Sequence, residues 1–233
     1  GCIYCYARPT HEYLGWGAGS DFDTKILVKR HAPELLRKAF DAKSWKGERV
    51  MFSGNTDCYQ PVEHRLGITR ACLEVCRDYR NPVGLITKSN LVERDVELLA
   101  ELHAVSSVHA TVSIPYRDPA MARIIEPGAP TPARRLRALE TLAKAGIPVG
   151  VNVAPVIPGI NDTEIPAVLK AAWDAGAHWT SMIMVRLPGS TAPWFESRLR
   201  EQLPMRADAV INRIRRGRDG RLNDPERSEE HTS

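Results

Sequence analysis

Val83-Gly84-Leu85-Ile86-Thr87, a helix-forming stretch opened by Asn90, and then Val108-His109-Ala110-Thr111-Val112-Ser113-Ile114 decide the fold. Each flank is a short apolar run rich in β-branched residues, as expected of a strand buried on both faces. The second run stops at Pro115, which cannot donate to a sheet ladder. Asn90 followed by Glu93 resembles a capping box, and it starts a helix that reaches about His103. Strand, helix and strand in this order form a βαβ unit, whose strands pair in parallel.

The same alternation extends both ways. Towards the N-terminus, residues 7–24 hold Gly15, Gly17 and Gly19 and read as a loop, and residues 25–29 read as a short strand. Pro33 suits a first helical position, and residues 34–40 carry apolar side chains at helical spacing. Residues 49–52 form a β-type run that ends in Ser53-Gly54, and residues 62–79 form a helix through Leu66, Leu73, Val75 and Cys76. Towards the C-terminus, Thr131-Pro132 is an N-cap and first-turn pair for a helix that Gly146 stops. A strand at 147–154, a helix at 162–175 stopped by Gly176, and a strand at 179–185 follow, and the chain is helical from Pro193 to near Gly217. So regular an alternation implies an α/β fold with a parallel sheet and helices outside it. It has more units than a small doubly wound sheet and fits a partial or closed (β/α) TIM-like barrel. In such barrels chemistry collects on the loops after the strands' C-terminal ends.

Composition narrows the class. The 233 residues are 43% hydrophobic, enough for a core, and the net charge of +4 is too mild to demand nucleic acid. Residues 206–221 hold six arginines against Asp208 and Asp219. That stretch reads either as a phosphate-contacting surface or as a solvated helix face. No apolar run approaches the roughly 20 residues that span a bilayer, so no membrane association is expected. Five cysteines, an odd number, do not form a disulfide framework and point to reduced thiols in the cytoplasm. The chain begins at Gly1, one residue before a cysteine, and Arg227-Ser228-Glu229-Glu230-His231-Thr232-Ser233 matches the translation of a common sequencing adaptor. It therefore reads as a piece of a longer protein: a core over 1–200, an arginine-rich extension over 201–226, and an extraneous tail over 227–233.

Cys2 and Cys5 stand at CxxC spacing with Tyr4 between them. The spacing suits a thiolate pair on one metal centre, although two thiolates do not complete a four-ligand zinc or iron–sulfur site. A dithiol redox module and a zinc half-site use the same spacing, and a catalytically silent barrel that only binds is a third class. Cys72 and Cys76 lie four apart on a helix, a spacing that either holds a metal or marks a buried face. His11 and Glu12 follow the CxxC on a loop.

The sequence resembles the radical S-adenosylmethionine (SAM) enzymes of the spore photoproduct lyase-like, "DNA repair photolyase" group. Cys2 and Cys5 match the second and third cysteines of that family's CxxxCxxC motif, whose first cysteine would lie four residues before Cys2. Ser53-Gly54-Asn55-Thr56-Asp57, Thr87-Lys88-Ser89, Val112-Ser113-Ile114 and Pro155-Val156-Ile157-Pro158-Gly159 match in order. The resemblance implies a [4Fe–4S] cluster on Cys2 and Cys5, SAM as cofactor, and a reductant such as flavodoxin or ferredoxin. It places the backbone of Tyr4 near the adenine, and Lys88 and Ser113 on the SAM carboxylate and ribose. Ser53, Asn55 and Asp57 would line the end of one strand, with an Asx turn as the other reading of Asp57. Asn152 either faces the lumen and touches SAM or is a satisfied core amide. It also implies a DNA lesion as a candidate substrate. Spore photoproduct lyase uses a hydrogen-donating cysteine in the segment matching 53–57, where this chain has none. Cys58, just beyond, is the candidate for that catalytic role.

Overall fold

The computed structural model describes residues 1–223 of the chain. Five parallel strands form one sheet: β1 (Val50–Phe52), β2 (Val83–Thr87), β3 (Val108–Ser113), β4 (Val149–Val156) and β5 (Trp179–Met184). Each strand pairs with the next in sequence, so the order is β1-β2-β3-β4-β5. Right-handed crossovers between successive parallel strands put the connecting helices on one face and leave the other as a lumen. This is the expected α/β architecture, a partial (β/α) barrel.

The helices are α1 (Ser20–Thr24), α2 (Ala32–Phe40), α3 (Glu63–Leu66), α4 (Ile68–Asp78), α5 (Val96–Val105), α6 (Pro119–Ile125), α7 (Pro132–Lys144), α8 (Ile165–Asp174), α9 (Thr191–Gln202) and α10 (Ala207–Arg216). Val83, Leu85, Val108, Ala110, Val112, Val149, Val151 and Val153 sit in the main core with Leu73, Leu99, Leu139 and Val168 from the helices. The residues between them in the strands, including Gly84, His109, Gly150 and Asn152, point the other way. Near the strands' N-terminal ends large side chains lie over glycines on the lumen face. A Cβ at Gly150 would collide with the Trp179 indole, and one at Gly84 with the Met51 thioether. The Trp179 and His109 rings lie 5.5 Å apart across this floor.

A second apolar cluster caps the opposite end. It joins Ile3 and Tyr4 to Tyr116, Ile125, Ile157, Val185, Phe195 and Leu199, and to Val210, Ile211 and Ile214 of α10. The N-terminal segment is therefore packed over the C-terminal ends of the strands. The arginine-rich stretch contributes an amphipathic helix to the same cluster. Among the described residues, no helix is long and apolar enough to cross a membrane. Residues 227–233, expected to be an extraneous tail, lie outside the described residues.

Several local expectations are corrected. Residues 25–29 form no strand, because no neighbouring strand offers backbone partners, and Ile26 and Leu27 stay exposed. The 62–79 helix breaks into α3 and α4 at Gly67, whose φ of 64° closes the first and starts the second. Ser89, rather than Asn90, caps the next segment, its hydroxyl accepting from the Leu91 N–H at 3.2 Å. That segment runs as a 3-10 helix over Asn90–Asp95 before α5 begins. The glycine-bearing loop contains a 3-10 helix (Arg8–Leu14) and α1. The helical stretch after Pro193 is two helices, α9 and α10.

Candidate active site

Cys2 and Cys5 lie on a tight turn in which the Cys5 N–H donates to the Cys2 carbonyl at 3.3 Å and the Arg8 N–H to the Cys5 carbonyl at 3.2 Å. Arg8 is fully buried. Its guanidinium donates to the carbonyls of Ala18, Gly19 and Cys2 and to Asp23, and it lies between the Phe22 and Trp194 rings. Thr191, at the start of α9, donates to the Cys5 carbonyl at 3.3 Å. Both cysteine carbonyls are thus held by the protein. Burial pushes the Cys2 thiol up to about 12, with the Glu126 carboxylate adding to the shift and Lys88 opposing it. Burial also raises Cys5, against the Ala7 N–H, Arg8 and Lys88. Both groups are thiols at neutral pH, and a metal must displace their protons to bind.

Tyr4, between them, donates its hydroxyl proton to Glu126. Arg135 donates to the same carboxylate at 2.5 Å, to the Ser113 carbonyl at 3.1 Å and to the Pro130 carbonyl at 2.8 Å. The Glu126 and Arg135 side chains are 0% and 2% exposed. The Lys88 ammonium stands 5.9 Å from the centre of the Tyr4 ring. Lys88 therefore faces the cysteine turn from the exit of β2.

At the exit of β1, Ser53 adopts a left-handed φ of 77° and its hydroxyl accepts from the Cys58 N–H at 2.8 Å. Asp57 accepts from the Thr87 hydroxyl (2.7 Å), the Lys88 N–H (2.7 Å) and the Tyr59 N–H (2.9 Å). The last of these closes an Asx turn. The other two tie the β1 exit to the β2 exit and fix the backbone from which Lys88 projects. Asn55 is exposed, whereas Cys58 is half-buried at the margin of the main core, its thiol pushed up to about 12, chiefly by burial. The Tyr6 hydroxyl donates to the Gly54 carbonyl at 2.8 Å and joins this loop to the cysteine turn. Ser113 and Asn152 pair in register and are both buried, and the Asn152 amide oxygen accepts from the Ser181 hydroxyl at 3.1 Å.

The topology thus gathers Cys2, Tyr4, Cys5 and Lys88 at one rim, with Ser53, Asn55 and Asp57 at the exit of β1, Ser113 at the end of β3 and Asn152 beside it within β4. Cys72 and Cys76 are buried in α4 within or beside the main core, and their thiols are raised by burial. The His11 Nε2–H donates to the Lys25 carbonyl at 3.0 Å, and the ring packs against Trp16 and Phe22. Four structural anchors escape the sequence reading: Arg8, Glu126, Arg135 and Asn161. The Asn161 amide donates to the Pro115 and Pro155 carbonyls and accepts from the Ile157 N–H, so it fastens the exits of β3 and β4 together. A usable signal exists for Arg135. It falls on the buried stripe of α7 with Pro132, Ala138, Leu139 and Leu142, where a charge needs a buried partner. Among the described residues no cluster of three or more His, Cys, Asp or Glu side chains is placed to hold a metal. The donor chemistry of the turn, two shielded thiols facing a lysine, fits two ligands of a thiolate-held centre.

The profile described as the Radical SAM superfamily matches residues 1–172. Uncharacterized proteins of Mycobacterium tuberculosis and Mycobacterium bovis are 35% identical over 218 residues, which is 93% of this chain and 64% of theirs. An uncharacterized protein of Methanocaldococcus jannaschii is 31% identical over 163 residues, covering 70% of this chain and 58% of its own. The chain spans less than two thirds of the length of these relatives. Among solved structures, a mutant of spore photoproduct lyase superposes with a TM-score of 0.63 at 19% identity, over 87% of this chain and 58% of that one. A second mutant of that enzyme, with bound AdoMet and dinucleoside spore photoproduct, gives 0.61 at 19% identity over the same shares. At that identity the likeness establishes the fold.

Proposed function

The chain belongs to the radical SAM superfamily, and on that premise we propose that it forms the cofactor-binding core of an enzyme that cleaves SAM reductively. The observation that carries the reading is the docking of Cys2 and Cys5 at the C-terminal rim of a singly wound parallel sheet, facing Lys88. When bound, a reduced [4Fe–4S] cluster supplies the electron that splits SAM into methionine and a 5′-deoxyadenosyl radical. Cys2 and Cys5 would hold it, and the family pattern places a third cysteine four residues before Cys2. Lys88 would pair with the SAM carboxylate through a charge-assisted hydrogen bond. Ser113, Asn152, Ser53 and Asn55 would offer polar groups to the ribose and amino group, the backbone of Tyr4 would lie near the adenine, and Asp57 holds the Lys88 backbone in place. The electron comes from a flavodoxin- or ferredoxin-type reductant, and a DNA lesion is the proposed substrate. A thioredoxin-like dithiol needs a thiol of lowered pKa after a strand and at a helix start. Here both thiols are raised and lead into a 3-10 helix, which favours the cluster reading.

The test is anaerobic reconstitution of the gene-complete protein. Cys2→Ala and Cys5→Ala should each abolish iron binding and SAM cleavage. Lys88→Ala should keep the iron and weaken SAM by about one to two decades, the worth of one charge-assisted contact of roughly 1.5–3 kcal/mol. Iron and SAM cleavage that survive either cysteine substitution would sink the assignment.

A further inference from the structure

We infer that Glu126 is a positioning residue for the cysteine turn: its carboxylate, oriented by Arg135, clamps Tyr4 and thereby fixes the backbone that carries Cys2 and Cys5. The assignment of the turn as a metal loop rests on the function proposed above; the clamp itself rests on geometry alone.

The geometry has three parts. All three kinds of guanidinium nitrogen of Arg135 are used, on Glu126, the Ser113 carbonyl and the Pro130 carbonyl. The planar fork is therefore locked to the end of β3 and to the turn before α7, and it presents one orientation to the carboxylate. Arg135 occupies one carboxylate oxygen, and the other oxygen receives the Tyr4 hydroxyl, from a residue 122 positions away in sequence. Immediately beside this bond the Ile3 N–H donates to the Ile125 carbonyl at 3.1 Å. Residues 3 and 4 are thus attached to residues 125 and 126 at two adjacent points, one by backbone and one by side chain. Ile3 and Tyr4 are the two residues between the cysteines, so both attachments act on the segment that sets the distance between the two sulfurs.

A buried ion pair adds little net stability over an apolar pair of the same volume. What it supplies is direction, because its hydrogen bonds work at one distance and angle. An apolar contact in this place would bury the Tyr4 ring equally well and let the turn slide.

Amide hydrogen exchange on the purified chain tests the clamp without any cluster. Tyr4→Phe keeps the ring and the Glu126–Arg135 pair and removes only the hydroxyl. Exchange in residues 2–6 should accelerate about tenfold, the equivalent of one hydrogen bond to a charged group, with β3 and α7 unchanged. Tyr6→Phe, which removes an exposed hydroxyl bond to Gly54, is the control and should leave residues 2–5 unaffected. Unchanged exchange in residues 2–6, or a uniform rise through α6, α7 and β3, would overturn the inference. In the reconstituted protein Tyr4→Phe should also shift the g values of the reduced cluster's electron paramagnetic resonance signal. A protein that binds no cluster would refute the proposed function and leave the exchange result to judge the clamp.

Discussion

Arg135→Met is the sharpest probe of how the rim is held together. Met keeps most of the aliphatic volume in the buried stripe of α7 and removes the guanidinium. Glu126 is then left without its cation in a place where its side chain is fully shielded. Breaking a buried pair by deleting one partner costs about 3–5 kcal/mol, because the surviving charge has lost its compensation. The carbonyls of Ser113 and Pro130 also lose their donor, at roughly 1 kcal/mol each where no water reaches them. A loss of about 5–7 kcal/mol is therefore expected, against a total of roughly 5–15 kcal/mol for an ordinary domain. The assay is urea unfolding at neutral pH followed by far-UV circular dichroism. The double variant Arg135→Met/Glu126→Leu removes both charges and should recover at least about 2 kcal/mol of that loss. The reasoning fails if the single variant unfolds within about 1 kcal/mol of the parent. It fails equally if the double variant is no more stable than the single one, since uncompensated charge would then not be the cause.

Two further outcomes are expected. Burial pushes the Asp95 carboxyl up, but hydrogen bonds from Arg94 and Arg70 outweigh it and hold the group below the usual carboxylate range. A depressed folded pKa gives stability that is present above the unfolded value near 3.9 and is lost as pH falls below it. The advantage of the parent over Asp95→Asn in denaturant titrations should thus fade below about pH 4, and an advantage that stays flat down to pH 2.5 would contradict this. On a lesion-bearing oligonucleotide with reduced gene-complete enzyme, Cys58→Ala should divert the product and leave SAM cleavage intact. The half-buried Cys58 thiol, pushed up to about 12, stays protonated at neutral pH, the form a hydrogen-atom donor needs. Identical products from parent and variant by mass spectrometry would remove Cys58 from the chemistry.

The strands were legible because their signal is local. Residues 83–87 and 108–113 are apolar and β-branched, and a turn signal ends each one. Residues 25–29 carry the same kind of composition and form no strand, because composition does not say whether a neighbour exists to pair with. Asp118-Pro119 is a first-turn signal as clear as Thr131-Pro132, and it does start α6, with the Asp118 carboxylate capping the Ala120 N–H. The helix is only seven residues long, too short for its apolar positions to show a period. The site divides in the same way. Cys2, Cys5 and Lys88 could be found because they sit in motifs of fixed spacing. The groups that hold them in place, Glu126 under Tyr4, Asp57 under Lys88 and Thr191 on the Cys5 carbonyl, act across folds of the chain. The Tyr4–Glu126 bond spans 122 positions and the Asp57–Lys88 bond 31. No local pattern encodes such a pair, yet one half of it leaves a trace. An arginine on the apolar stripe of α7 must find an anion, and a buried carboxylate at the end of α6 must find a cation. Sequence therefore announces that a buried polar anchor exists. Only the topology, which lays the start of the chain across the exits of β3 and β4, decides that the anchor holds the cysteine turn.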